Sequence, residues 1–156
     1  MGIDSHRLAK MLALHEGMKL KVYDDANGKE LKAGDTLIGH PTIGVGRNVA
    51  SDGLGISEEE AIFILMSDIV RIQKEAESWE IYNSLDEIRQ CIVLDMLFNM
   101  GMTRFNPTKW PSMFQALEEE NWDEASNQML DSNWARQVKT RATRLSEMMV
   151  TGEWIE

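Results

Sequence analysis

Apolar and polar positions along the chain change period twice. From Arg7 to His15 the apolar residues Leu8, Met11 or Leu12, and Leu14 recur at a loose helical spacing. Asp4 or Ser5 stands ahead of them as an N-cap, and Gly17 supplies a stop, because glycine takes the left-handed geometry common just past a helix end. Residues 18 to 47 read as strands: "MKLKVY" alternates apolar and polar, and "TLIGHPTIGVG" spaces β-branched residues by glycines, which suits a small bent sheet. Between them "DDANGK", "KAGD" and "GHPT" are turn material. The helical period then returns. Ser57 and Glu60 form a capping box, after which Ile62, Leu65, Met66, Ile69 and Ile72 or Gln73 keep one apolar stripe. Ser84 and Glu87 make a second box before "LDEIRQCIVLDMLFNMG", a segment apolar on most faces that predicts the core helix and ends at Gly101. Shorter helices are expected around 111–119, 122–130 and 137–149, punctuated by Pro107 and Pro111.

One helix, a small antiparallel sheet and then helices only make an α+β chain with its strands segregated. A length of 156 residues fits one domain, with room for two lobes sharing a helix. The boundaries expected are a small lobe at 16–56, a linking helix at 57–78, and a helical lobe at 79–156 that also takes the N-terminal helix. No apolar run approaches the ~20 residues of a membrane span, so stable membrane insertion is not expected. The opening "MGIDSHRLAK" lacks the apolar core of a signal peptide, so the chain is expected to be made and kept in a cytoplasm unless something else lets it out. The net charge of −10 argues against nucleic acid as a partner and gives no general attraction to an anionic wall. The one cysteine, Cys91, cannot form an internal disulfide and reads as a buried, inert thiol within an apolar helical pattern. His6, His15 and His40 show no ligand spacing, so no metal site is expected.

Candidate chemistry centres on "LHEGMKLKVYDD", which carries one carboxyl at Glu16 and another nine residues later at Asp25. Cleaving a glycosidic bond needs an acid for the leaving oxygen and a carboxylate that activates water or stabilises the cation. Nine extended residues reach about 30 Å, so the chain must fold back between the two. A helix stop followed by a hairpin does that, although an exposed helix end before a polar hairpin accounts for the same residues. In "PTIGVG", the Thr42 hydroxyl can hold a water, since it both donates and accepts. Gly44 and Gly46 would admit a ligand or a strand close to the backbone, or simply kink a strand. Arg136, Lys139, Arg141 and Arg144 form either a solvated helix face or a group from which one arginine meets a carboxylate. Trp122, Trp134 and Trp154 start or end helical stretches and read as packing residues rather than sugar platforms.

Taken in order, these segments resemble the lysozymes of tailed bacteriophages, especially the T-even type, over nearly the whole chain. "HEGMKLKVYDD" is similar to the family's Glu-Gly helix end with its Glu-x8-Asp spacing, and "PTIGVG" to its Thr-Ile-Gly-x-Gly strand. "YNSLDEIRQ", "LFNMG", "NWDEA", "SNWARQ" and "TGEW" follow at similar spacing. The resemblance implies a lysozyme-like fold and cleavage of the β-1,4 bond between N-acetylmuramic acid and N-acetylglucosamine in peptidoglycan. It implies Glu16 as general acid, Asp25 as the carboxylate assisting the water, Thr42 as that water's positioning partner, and Asn99 as a cleft-lining amide. Arg141 takes the place of an arginine paired with the catalytic glutamate. Such a cation lowers a glutamate's pKa, so partial burial of Glu16 is expected to oppose it. No cofactor is implied. The enzyme is expected as a monomer, held in the host cytoplasm until a holin releases it to the wall.

The chain departs from that pattern at "KELKAGDTLIGH", residues 29–40, which is largely inserted between Asp25 and Thr42. The insertion is expected to extend the hairpin, and it makes Thr36 a competitor for Thr42's role. Asp24 beside Asp25 leaves the register open, Arg47 replaces a histidine, and Val138 a hydroxyl-bearing residue. Two rival functions remain: a lytic transglycosylase, which needs only the acid, and a non-catalytic wall-binding or virion component.

Overall fold

The computed structural model describes residues 4–155. Helix α1 (Ser5–Glu16) starts on Asp4, whose side chain accepts from the Arg7 amide at 3.0 Å. It ends at Gly17, whose N–H donates to the Ala13 carbonyl. Gly17 has φ 74° but ψ 169°, so the stop is a glycine-favouring conformation other than the left-handed helical one expected. Strands β1 (Lys19–Asp24), β2 (Pro41–Gly44) and β3 (Arg47–Asn48) form one antiparallel sheet in the order β1-β2-β3. Thr42 sits between Tyr23 on β1 and Asn48 on β3.

The insertion does not extend the hairpin. Residues 31–40 form no strand, and a single bridge joins Glu30 to Tyr23. The segment turns early, with the Asp35 carboxylate accepting from the Lys32 amide at 2.9 Å, and its return is captured by side chains at 24 and 25 rather than by a ladder.

Helix α2 (Glu58–Ala76) carries the expected capping box: the Ser57 amide donates to Glu60 at 2.8 Å, and the Glu60 amide donates to the Ser57 hydroxyl at 3.2 Å. Arg47 adds a two-pronged contact to the Glu60 carboxylate, tying β3 to the first turn of α2. The Ser57 amide, with Arg47 beside it, outweighs burial and holds the Glu60 carboxyl below its ordinary range. The apolar stripe of α2 is helical as predicted but unevenly covered. Ile62, Leu65 and Met66 are exposed, whereas Ile72 packs on the core and Ala76 is fully buried.

Two compact units divide the chain, one ending at Ile62 and the other starting at Phe63. The boundary falls inside α2, and α1 groups with the sheet, where the sequence placed it with the helical lobe.

The second unit is helical: α3 (Glu80–Ser84), α4 (Glu87–Met100), α5 (Pro111–Glu118), α6 (Trp122–Leu130), α7 (Asn133–Val138) and α8 (Thr140–Thr151). Its core is built on α4, whose Ile92, Val93, Met96 and Leu97 are buried with Phe105, Met113, Leu117, Met129 and Met149. Helix α4 is capped not by Ser84 but by Asp86, which accepts from the Arg89 amide at 3.0 Å; the Ser84 hydroxyl turns back to Ile81. The segment expected as one helix at 137–149 is two, broken at Lys139 with φ 48°. Helix α3 has too few residues for a periodic signal. Trp134 packs in the core as expected, but Trp154 is 62% exposed. Cys91 is a free, half-buried thiol whose pKa burial raises. No helix among the described residues is long and apolar enough to cross a membrane.

Candidate active site

The two adjacent aspartates at the end of β1 have opposite environments. Asp24 is 1% exposed, and its carboxylate accepts from the amides of Ile38 at 2.6 Å, Gly39 at 2.9 Å and Ala26 at 2.9 Å. Asp25 is exposed. Its Oδ1 accepts from the His40 amide at 2.6 Å, its own amide donates to the His40 carbonyl at 3.1 Å, and the His40 Nδ1 lies 3.4 Å from Oδ2. Asp24 is thus fully occupied in holding the insertion's return, whereas Asp25 keeps carboxylate lone pairs open to solvent.

Thr42 is buried to 3% exposure, and its hydroxyl donates to the His40 carbonyl at 3.1 Å. With its one proton spent, that oxygen can only accept from a further partner. Thr36 is exposed in the loop and takes no part in the hydrogen bonds around Asp25. At the other end of β2, Gly44 pairs with Lys19 and Gly46 follows in the turn, both at φ 68°. A Cβ on Gly46 would lie 3.3 Å from Oε2 of Glu16, so a bare backbone lets this carboxylate rest on the turn. A Cβ on Gly44 would meet nothing within 4 Å, leaving that face of the strand open. Glu16 itself is exposed, not partly buried as expected. The two carboxyls therefore flank opposite ends of β2, a four-residue strand spanning about 10 Å at the usual rise.

In the second unit, Asn99 is exposed at the end of α4, and its side-chain carbonyl accepts from the Trp134 indole at 2.9 Å, leaving the amide nitrogen as a donor. The Arg141 Nε donates to Asp95 at 2.7 Å. Asp95 is the partner that sequence reasoning missed.

Residues 13–147 match the phage lysozyme family. The chain belongs to that family. It is a glycoside hydrolase of the lysozyme type. Among relatives, it is 29% identical to probable T4-type lysozyme 1 of Dictyostelium discoideum, covering 91% of this chain and 92% of the relative. Probable T4-type lysozyme 2 of the same organism is 27% identical, over 93% and 94% of the two chains. The pre-baseplate central spike protein Gp5 of Enterobacteria phage T4 is also 27% identical, over 93% of this chain but only 28% of the spike protein.

The phage lysozyme match takes in Glu16, Asp25, Thr42, Gly44, Asn99 and Arg141. Nothing in the sequence singled out His40 as the residue joining Asp25 to Thr42, because it lies in the segment with the least family character. The doublet Asp24-Asp25 carried a weak signal: the first ends a strand with a buried neighbour, Tyr23, and the second opens a turn.

Proposed function

We propose that this phage lysozyme family member hydrolyses the β-1,4 bond between N-acetylmuramic acid and N-acetylglucosamine, serving lysis of a bacterial host. Glu16 protonates the leaving oxygen, Asp25 takes a proton from the attacking water, and Thr42 orients that water. The observation carrying the assignment is the arrangement along β2, with Glu16 against Gly46 at one end and Asp25 with Thr42, joined through His40, at the other. Because the Thr42 hydroxyl donates to His40, it would receive a hydrogen from the water, leaving the water's lone pair for the sugar carbon and its second proton for Asp25. Asp25 is favoured over Asp24 because the latter is buried and occupied. Gly44, Asn99 and Arg141 are the proposed substrate-contacting residues, each within its own unit. The enzyme is proposed to act as a monomer and to reach the wall from the host cytoplasm through a holin.

The spike-protein relative supports a second reading, in which the same domain is carried in a virion. Recovery of this chain from purified particles would favour it. Digestion of purified peptidoglycan tests the chemistry. Wild type should release free reducing ends, and Glu16→Gln should lose about 10²–10⁴ of the rate, the usual contribution of an acid–base group. Anhydro ends would instead indicate a transglycosylase, and no product from wild type would indicate a binding component.

A further inference from the structure

His40 touches both residues assigned to the water. Its amide donates to Asp25 Oδ1 at 2.6 Å, its imidazole Nδ1 stands 3.4 Å from Oδ2, and its carbonyl accepts from both the Asp25 amide and the Thr42 hydroxyl, each at 3.1 Å. One residue thereby spans the two oxygens of the carboxylate and fixes the direction of the hydroxyl. It is itself delivered by the Asp24 clamp, because Ile38 and Gly39, immediately before it, donate to that buried carboxylate. Gly39 is required in that approach. A Cβ there would fall 2.1 Å from Asp25 Oδ1 and 2.9 Å from the Ala26 nitrogen, closer than non-bonded atoms can sit.

We propose that His40 is a positioning residue for the hydrolytic step, holding the Asp25 carboxylate at both oxygens and aiming Thr42, and that residues 29–40 serve to bring it there. An unheld aspartate exposed to solvent rotates about its side-chain bonds, and only some orientations face the water. Fixing both oxygens raises the fraction of molecules ready to react. Because the backbone contacts survive substitution, the side chain's share is one half-exposed pair, which supports an effect of about two- to fivefold rather than a complete loss.

The inference rests on the assignment of Asp25 above. Wild type, His40→Ala, His40→Asn, Asp25→Asn and the double variant His40→Ala/Asp25→Asn are compared on purified peptidoglycan, with folding checked by thermal melting. His40→Ala should lower kcat about two- to fivefold with KM unchanged. His40→Asn, which keeps a nitrogen donor at the δ position, should recover most of that loss. In the Asp25→Asn background His40→Ala should have no further effect, since groups acting as one unit are not additive. Gly39→Ala, which crowds Asp25 without removing any polar group, should also lower kcat. Full activity in Asp25→Asn would overturn the assignment of Asp25. Loss in Asp25→Asn with unchanged kcat in His40→Ala, or equal losses by His40→Ala in both backgrounds, would overturn the role of His40 alone.

Discussion

Asp24 shows how a single side chain organises the first unit. The Ile38 amide draws its pKa down most; burial opposes this, and the amides of Ala26 and Gly39 and the nearby His40 draw it down further, so the carboxyl lies below its ordinary value. A depressed carboxyl contributes stability fully above its unfolded pKa of about 4, and that contribution is lost as pH falls through the lower folded value. The Ile38 and Gly39 amides should therefore keep their hydrogen-exchange protection at pH 5 and lose it on acidification below about pH 4. Asp24→Asn should expose them already at neutral pH, with the helical unit unaffected. Asp25, one residue away, is exposed and should show no such structural dependence when changed to Asn.

At the scale of elements, the C-terminal end of α8 depends on an arginine from α4. Arg89 is 8% exposed and donates to the carbonyls of Met149 at 3.0 Å and Val150 at 3.3 Å, two groups without helical partners at a helix end. Asp86 neutralises it at 2.7 Å, and its guanidinium lies 3.9 Å from the centre of the Trp122 ring. Burial pushes the Asp86 carboxyl up, but its hydrogen bonds and charge contact with Arg89 pull harder, and the net shift is downward. Arg89→Met keeps much of the volume but leaves both carbonyls without a donor and takes away the cation beside Asp86, which keeps only its cap bond to the residue 89 amide. It should cost about 2–4 kcal/mol in denaturant unfolding of the second unit. Gly152, whose Cβ would stand 3.0 Å from an Arg89 nitrogen, sits at φ 69°, so Gly152→Ala should also destabilise. A capping box was legible at Ser57–Glu60 because both partners lie within four residues. At Ser84–Glu87 the same signature misled, since Asp86 is an equally good cap two positions nearer the helix.

For the whole molecule, 26 acidic residues against 16 basic ones set a net charge of −10. The proposed substrate carries carboxylates of its own, so long-range forces oppose encounter rather than steer it. Screening shortens those forces from about 30 Å at 0.01 M salt to about 8 Å at 0.15 M. Initial rates on purified peptidoglycan should rise, by about twofold or more, across that interval. A falling rate would point to a local basic surface dominating encounter, with Arg136, Lys139 and Arg144 the first residues to test.

What the sequence determined by itself was whatever depends on near neighbours and on composition. The first helix with its cap and glycine stop, the capping box of α2, the apolar α4 and the segregation of strands from helices all follow from spacings of a few residues. The family motifs likewise lie in short runs, and Glu16, Asp25 and Thr42 could be named from them. Tertiary structure alone decided which aspartate is spent and which is open, because that turns on amides 14 to 15 positions further along. It also decided that the insertion returns to Asp25 instead of lengthening a hairpin, and that Arg141 meets Asp95 across 46 residues of chain. Hydrogen bonds between distant segments leave no periodicity in the sequence; only the folded backbone brings their donors and acceptors within reach.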